Sequence, residues 1–391
     1  MDKGPLAGMK VVEFAGIGPG PMCGMLLADL GAEVLRLDRL VASGLGVERP
    51  PHLDLLNRGK RTVSVDLKSA EGVAFARHVV AASDALIEGY RPGTMERLGL
   101  GPEVCLAEQP KLVYGRVTGF GQKGPLAQAA GHDLNYIALS GALHAIGREG
   151  VAPTPPLNLV GDFGGGGLML AFGMLAALWR VQRGRPGQVV DAAMVDGAAA
   201  LLTSMFGLFG AGAHLGERGT NLLDSGAPHY EVYRCADGEY VSIAPIERKF
   251  RVLLLERLGL APDAIDFDDP SGWREYKARL ADIFATRTRA QWCVLLEGSD
   301  ACFAPVLSPR EAHLHPHNRE RETFVEIAGV RQPAPAPRFQ GSPAALPRPP
   351  HSDDAAAFVQ LRRWGIDQEE IDALCASGRL RAGAPPRSKG G

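Results

Sequence analysis

Two short segments hold the residues best suited to chemistry. One is Gly131-His132-Asp133-Leu134-Asn135-Tyr136; the other, roughly thirty residues on, runs from Asn158 through Gly161, Asp162 and Phe163 into glycines 164–167. Each sets one titratable side chain beside glycine. An imidazole and a carboxylate on opposite sides of one carbon can take a proton from one face and return one to the other. Singly, both have plainer readings. His132 precedes an apolar helical run (Leu134, Ile137, Ala138), where a histidine can be a cap or a solvated residue. Asp162 stands where an N-cap aspartate would. Four glycines are poor helix material, however, and imply that something approaches the backbone there. A carboxylate at such a helix start would be held ionised by the dipole, beside N–H groups able to stabilise a developing oxyanion. Asn158 could hold that carboxylate by a hydrogen bond. Glu247 ends a predicted strand and alone says nothing; if it reached His132 it would set the tautomer and support the imidazolium form.

The elements that must position these groups read as α/β. Residues 9–14, 33–37, 62–67, 84–88 and 112–117 have strand character. Helical spacing appears at 22–30, 70–82, 167–181 and 197–209. Strands separated by helices imply a doubly wound parallel sheet in a large domain. A hairpin at 231–234 and 240–243, then helices at 249–258, 273–286 and 289–298, read as a smaller α/β domain. The expected boundaries are a large domain over 1–195, completed by 326–391, a linker at 196–225, and a small domain at 226–325. The Pro-rich stretch 333–350 should cross the surface, a helical hairpin at 361–376 should return to the large domain, and the last dozen residues should be disordered.

The glycine-rich loop Gly16-Ile17-Gly18-Pro19-Gly20-Pro21, with Asp38 further on, invites a dinucleotide reading. Proline stands where the third glycine belongs, so approach of the backbone to some other ligand is the better use. Basic stations at Arg36 and Arg39, at Arg58, Lys60 and Arg61, and at Arg91 and Arg97 are expected at C-terminal strand ends, where open α/β sheets bind ligands. A phosphorylated adenosine carrier would suit such a rim. His313, His315 and His317 are interrupted by Pro316 and framed by no carboxylate or cysteine pair, so no metal site is expected.

The bulk numbers exclude several classes. Basic residues number 42 against 44 acidic ones, a formal net charge of −2, with no basic block, which argues against nucleic-acid binding. The six cysteines lack a Cys-x-x-Cys pair, so neither disulfides nor zinc are implied. No apolar signal core opens the chain, residues 168–178 are too short to span a bilayer, and no Ser-Lys-Leu ending is present. A cytoplasmic location without membrane attachment is the expectation.

These stretches, with Glu88-Gly89-Tyr90-Arg91-Pro92-Gly93, Thr118-Gly119-Phe120-Gly121-Gln122, Val189-Val190-Asp191 and Ser299-Asp300-Ala301-Cys302, resemble the family III CoA-transferase superfamily over about residues 5–345. Within it, the chain resembles the branch that epimerises 2-methylacyl-CoA thioesters in lipid metabolism. The resemblance implies an interlocked homodimer, its site between the large domain of one subunit and the small domain of the other. It implies proton transfer by His132 and Asp162, with Glu247 orienting the histidine and Asn158 beside the aspartate. It also implies CoA contacts at Arg39, Val65, Asp66, Leu67, Lys68, Gly89, Tyr90, Arg91, Arg97, Gly131, Asp133 and Tyr136. CoA is then part of the substrate, and no cofactor or metal is required. Two alternatives stay open: CoA transfer with Asp162 as nucleophile, and a CoA-binding scaffold without activity.

Overall fold

A computed structural model describes residues 4–214, 216–351 and 355–385. Its contacts divide the chain into two units, one of Met1–Ser140, Leu157–Leu201 and Glu322–Gly391, the other of Gly141–Pro156 and Leu202–Arg321.

The first unit is built on a seven-stranded sheet. Strands β1 (Lys10–Phe14), β2 (Glu33–Asp38), β3 (Arg61–Val65), β4 (Ala85–Glu88), β5 (Val113–Thr118) and β6 (Gln188–Ala193) lie in the order 3-2-1-4-5-6. All pair in parallel. The strands alternate sides. Val12, Phe14, Leu35, Leu37, Val63 and Val65 face α2 (Ala70–Ala81) and the helices Ala356–Arg363 and Gln368–Ala376. Val11, Val34, Ala85, Ile87 and Val113 face α1 (Pro19–Asp29) and a second long helix. Both faces are therefore covered, as a parallel sheet needs.

Local signals start the helices. α1 begins with Pro19 behind Gly18, whose φ of 67° suits glycine. Ser69 caps α2 by accepting the Gly72 N–H at 3.1 Å. Three further helices complete this unit's functional end: α3 (Asp133–Ser140), α4 (Met169–Gln182) and α5 (Met194–Leu201). The stretch read as too short for a bilayer belongs to a continuous helical run, Leu159–Gln182, that by length and composition alone is long and apolar enough to cross one. Here one side of it rests on β5, β6, α1 and α5, and the other side leaves Phe172 and Trp179 exposed.

Two expectations need correction. The tail is not disordered throughout: Leu380–Ala382 pairs antiparallel with β3 and closes that sheet edge, whereas 386–391 lie outside the described residues. The second basic station is not on the C-terminal rim. Arg61 starts β3, Arg58 is buried against Asp29, and Lys60 is buried against Glu13 at 2.6 Å. Arg36 is likewise taken by Asp38 at 2.7 Å.

The second unit holds α6 (Thr203–Gly210), the antiparallel strands β7 (Glu231–Arg234), β8 (Tyr240–Ile243) and β9 (Phe303–Pro305), and helices α7 (Arg248–Arg257), α8 (Trp273–Phe284) and α9 (Arg289–Leu296). Residues 141–156 join it through side chains invisible to local pattern. Arg148 forks onto the buried Glu231 carboxylate at 2.8 Å on both arms, and Arg218 donates to the carbonyls of His144 and Val151.

Candidate active site

The two segments singled out by their chemistry arrive from different layers of the first unit. His132 immediately precedes α3. Its backbone N–H donates to the Asn135 side chain at 3.0 Å, and its imidazole is exposed. Asp162 lies in the first turn of a π-helical segment, Leu159–Leu168, that runs into α4. Asp162 is thus inside the helix, and the N-cap position belongs to Asn158. Such wide winding is rare and is often found at functional sites.

The glycine run explains how that segment fits. A Cβ on Gly165 would stand 2.6 Å from the Ala198 backbone nitrogen of α5, and one on Gly167 would stand 2.8 Å from the Met22 side chain of α1. On the facing helix, a Cβ at Gly197 would stand 1.9 Å from the Gly165 carbonyl oxygen. The close approach anticipated from four glycines is therefore made by neighbouring helices. Gly197 was not singled out in the sequence; its signal was a second glycine opening a helix next to an apolar core.

One hydrogen bond ties the segments together. The Asp162 backbone N–H donates to Asp133 Oδ2 at 2.6 Å. That N–H is therefore not free to face an oxyanion. Asp133 is buried, its carboxylate turned to Asp162. Asn158 Nδ2 donates to Asp162 Oδ2 at 3.2 Å. From the β1–α1 loop, Gly18 approaches so closely that a Cβ there would stand 3.0 Å from the same oxygen.

The electrostatics reverse the dipole argument. Burial holds the Asp162 carboxyl above the usual aspartate range; the Asn158 hydrogen bond pulls it down, the Asp133 charge pushes it further up, and His132 pulls it down. A carboxyl displaced upward is a stronger base, and its two protonation states come closer in energy near neutral pH. Tyr136 packs edge-on against Phe120 at 5.0 Å and donates to the Gly131 carbonyl. Burial and the Asp162 and Asp133 charges raise its phenol to about 12, with Arg91 opposing.

The residues expected at CoA lie along the C-terminal ends of the parallel strands. Arg39 follows β2, Val65, Asp66, Leu67 and Lys68 end and follow β3, and Gly89, Tyr90 and Arg91 follow β4, with Arg97 in the next helical turn. Arg39, Lys68, Arg91 and Arg97 are exposed. The Arg39 guanidinium stands 5.9 Å from the Tyr90 ring centre. A support beneath this rim was missed in the sequence. Glu88, fully buried, accepts from the Tyr90 N–H and from Arg116 Nε, each at 2.7 Å, and Arg116 reaches Glu96 at 2.9 Å. Its one signal was a glutamate ending an otherwise apolar strand.

Glu247 belongs to the second unit, exposed at the residue before α7. His315 pairs with Glu297 at 2.6 Å. Among the described residues no group of three or more His, Cys, Asp or Glu side chains is placed to hold a metal ion.

Residues 6–354 match the family described as CoA-transferase family III. The chain is 45% identical over 386 residues to an alpha-methylacyl-CoA racemase of Mus musculus, covering 96% of this chain and 99% of that one. It is 43% identical over 390 residues to the alpha-methylacyl-CoA racemase of Homo sapiens, again covering 96% and 99%. Among solved structures it is similar to a CAIB/BAIF family protein from Brucella suis, with a TM-score of 0.77 and 26% identity, covering 92% of this chain and 99% of that one.

Proposed function

The chain belongs to CoA-transferase family III, and from that premise we propose that it is an epimerase acting on the α-carbon of 2-methyl-branched acyl-CoA thioesters. The observation that carries this reading is the Asp162–Asp133 hydrogen bond, which joins the aspartate segment to the residue next to His132. The chemistry follows from the substrate. A thioester α-proton is weakly acidic, so a positioned base must act while the enolate oxygen is stabilised. His132 takes the proton from one epimer and Asp162 from the other. Each returns a proton as acid in the reverse direction. The CoA portion of the substrate lies along the Arg39, Lys68, Arg91 and Arg97 rim, whose cations suit its phosphates. The step calls for no redox cofactor or metal.

The working form is an interlocked homodimer in which Glu247 orients His132. Support comes from large apolar side chains left open on α4: Phe172 is 71% exposed and Trp179 66%. A surface of this kind implies a covering partner.

The family also holds CoA-transferases, and the Asp162 carboxylate, with Gly18 on one side where no side chain stands in the way, has the reach for a mixed anhydride. One experiment separates the two. In deuterated solvent the wild type washes label into the α-position of a 2-methylacyl-CoA, and His132→Ala abolishes epimerisation and the exchange that starts from the epimer His132 deprotonates. Exchange and epimerisation unchanged in His132→Ala would overturn the two-base reading. A hydroxylamine-trapped Asp162 adduct formed from acyl-CoA would favour transfer instead.

A further inference from the structure

Among the described residues, Asp133 is the one carboxylate that touches the peptide of a proposed proton-transfer residue. It opens α3, immediately after His132, and is 5% exposed. Oδ2 accepts the Asp162 N–H at 2.6 Å, while Oδ1 is buried with no hydrogen-bond donor among the described residues. Space around it is minimal: a Cβ on Gly161 would stand 2.6 Å from Oδ2 and 3.1 Å from Ile137. The carboxylate can neither swing away nor be replaced by a longer side chain at that spot. A buried oxygen without a donor leaves its charge poorly screened toward its neighbours.

We propose that Asp133 is a positioning residue for Asp162: its confined carboxylate clamps the Asp162 backbone N–H and presents a fixed negative charge to the neighbouring carboxyl. This rests on the two-base reading above. The clamp sets where the Asp162 side chain leaves the π-helical segment. The charge makes Asp162 a better proton acceptor than it would be beside a neutral group. The other polar groups acting on Asp162 are His132 and Tyr136 from the α3 side and Asn158 from its own segment. The Gly18 loop and the glycine-facing side of α5 bring no charge to it. Asp133 is thus the like charge in the set, and its role differs from a contact to CoA.

The test follows solvent deuterium exchange from each epimer separately, as a function of pH, in wild type, Asp133→Asn and Asp133→Ala. Each epimer reports one base. In both variants the rising limb for the epimer that Asp162 deprotonates should move to lower pH, by roughly half a unit to one unit. The limb that reports His132 should keep its place. Asparagine retains an oxygen for the Asp162 N–H, so its kcat should fall about tenfold or less, whereas alanine loses the clamp and should fall about 100-fold. KM for the thioester should be unchanged in both. Should the alanine variant fail to fold, the asparagine limb shift alone decides. Limbs that stay put or move together, or a raised KM with kcat intact, would overturn this proposal alone. No exchange from either epimer in the wild type would overturn the two-base reading, and this proposal with it.

Discussion

Asp162 shows how a site residue can be held at a cost to the fold. Its carboxyl is pushed above the ordinary aspartate range, mainly by burial. A raised carboxyl pKa means that the folded chain holds the proton more tightly than the unfolded one. At pH values above the carboxylate range the ionised group therefore subtracts from stability. Asp162→Asn removes that charge and keeps an acceptor for Asn158. The variant should melt slightly higher than wild type in calorimetry, while epimerisation falls about 100- to 10,000-fold. His229 offers a pH test at the same scale in the second unit. It is 3% exposed, edge-on to Phe267 at 4.9 Å and to Trp273 at 6.2 Å, with no hydrogen-bond partner for Nδ1 among the described residues. Burial, then the Arg251 charge, pushes it down to about 4, with Asp268 opposing. Between pH 6.5 and 4 the unfolded chain takes up a proton that the folded chain refuses. Stability is complete above that window and falls through it, by on the order of 3 kcal/mol at its lower end. Urea midpoints should drop more steeply below pH 6.5 in wild type than in His229→Phe; parallel curves would contradict this.

At the scale of elements, the π-helical segment and α5 meet backbone to backbone at Gly165 and Gly197. Replacing glycine by alanine inside a helix normally stabilises by about 1 kcal/mol. At Gly165 the added carbon meets backbone atoms of Gly197, Ala198 and Met194 at 2.6–3.0 Å, and backbone cannot yield as a flexible side chain can. Overpacking of this kind costs about 1–3 kcal/mol and outweighs the propensity gain. Gly165→Ala should therefore lower the melting temperature, and activity should fall further than stability because Asp162 rides on the same segment. An unchanged melting point would show that the two helices separate easily. The GIGPGP loop was legible as a ligand-approach loop following β1 and opening α1. What it approaches, the Asp162 carboxylate, lies far along the chain, so no local pattern could supply it.

For the whole molecule, the strand order 3-2-1-4-5-6 makes the dinucleotide resemblance of the first loop understandable. The topology is that of the doubly wound nucleotide-binding sheets, and the rim at its carboxyl ends is where open sheets of this kind bind ligands. The open apolar side chains on α4 belong to the same scale. Phe172→Glu with Trp179→Glu should yield monomers by sedimentation velocity and abolish epimerisation if, as proposed, each site takes residues from two subunits. A stable, active monomer would remove the interlocked arrangement.

The alternation of strands and helices and the hairpin of the small unit could be read from residue types alone, because periodicity and turn chemistry are local. That the segments carrying His132 and Asp162 meet, through Asp133, could be suspected for the same reason: each carries its glycine neighbours with it. Other features depended on contacts between distant segments. Lys60 and Arg58 look like surface cations until Glu13 and Asp29 are brought against them. Residues 141–156 join the second unit through Glu231, some eighty positions away. The direction of the Asp162 shift came from burial and from Asp133, against what a helix dipole alone would give. Local chemistry thus nominated the reactive groups, and only folding set their environment, because desolvation and charge proximity are properties of space rather than of order along the chain.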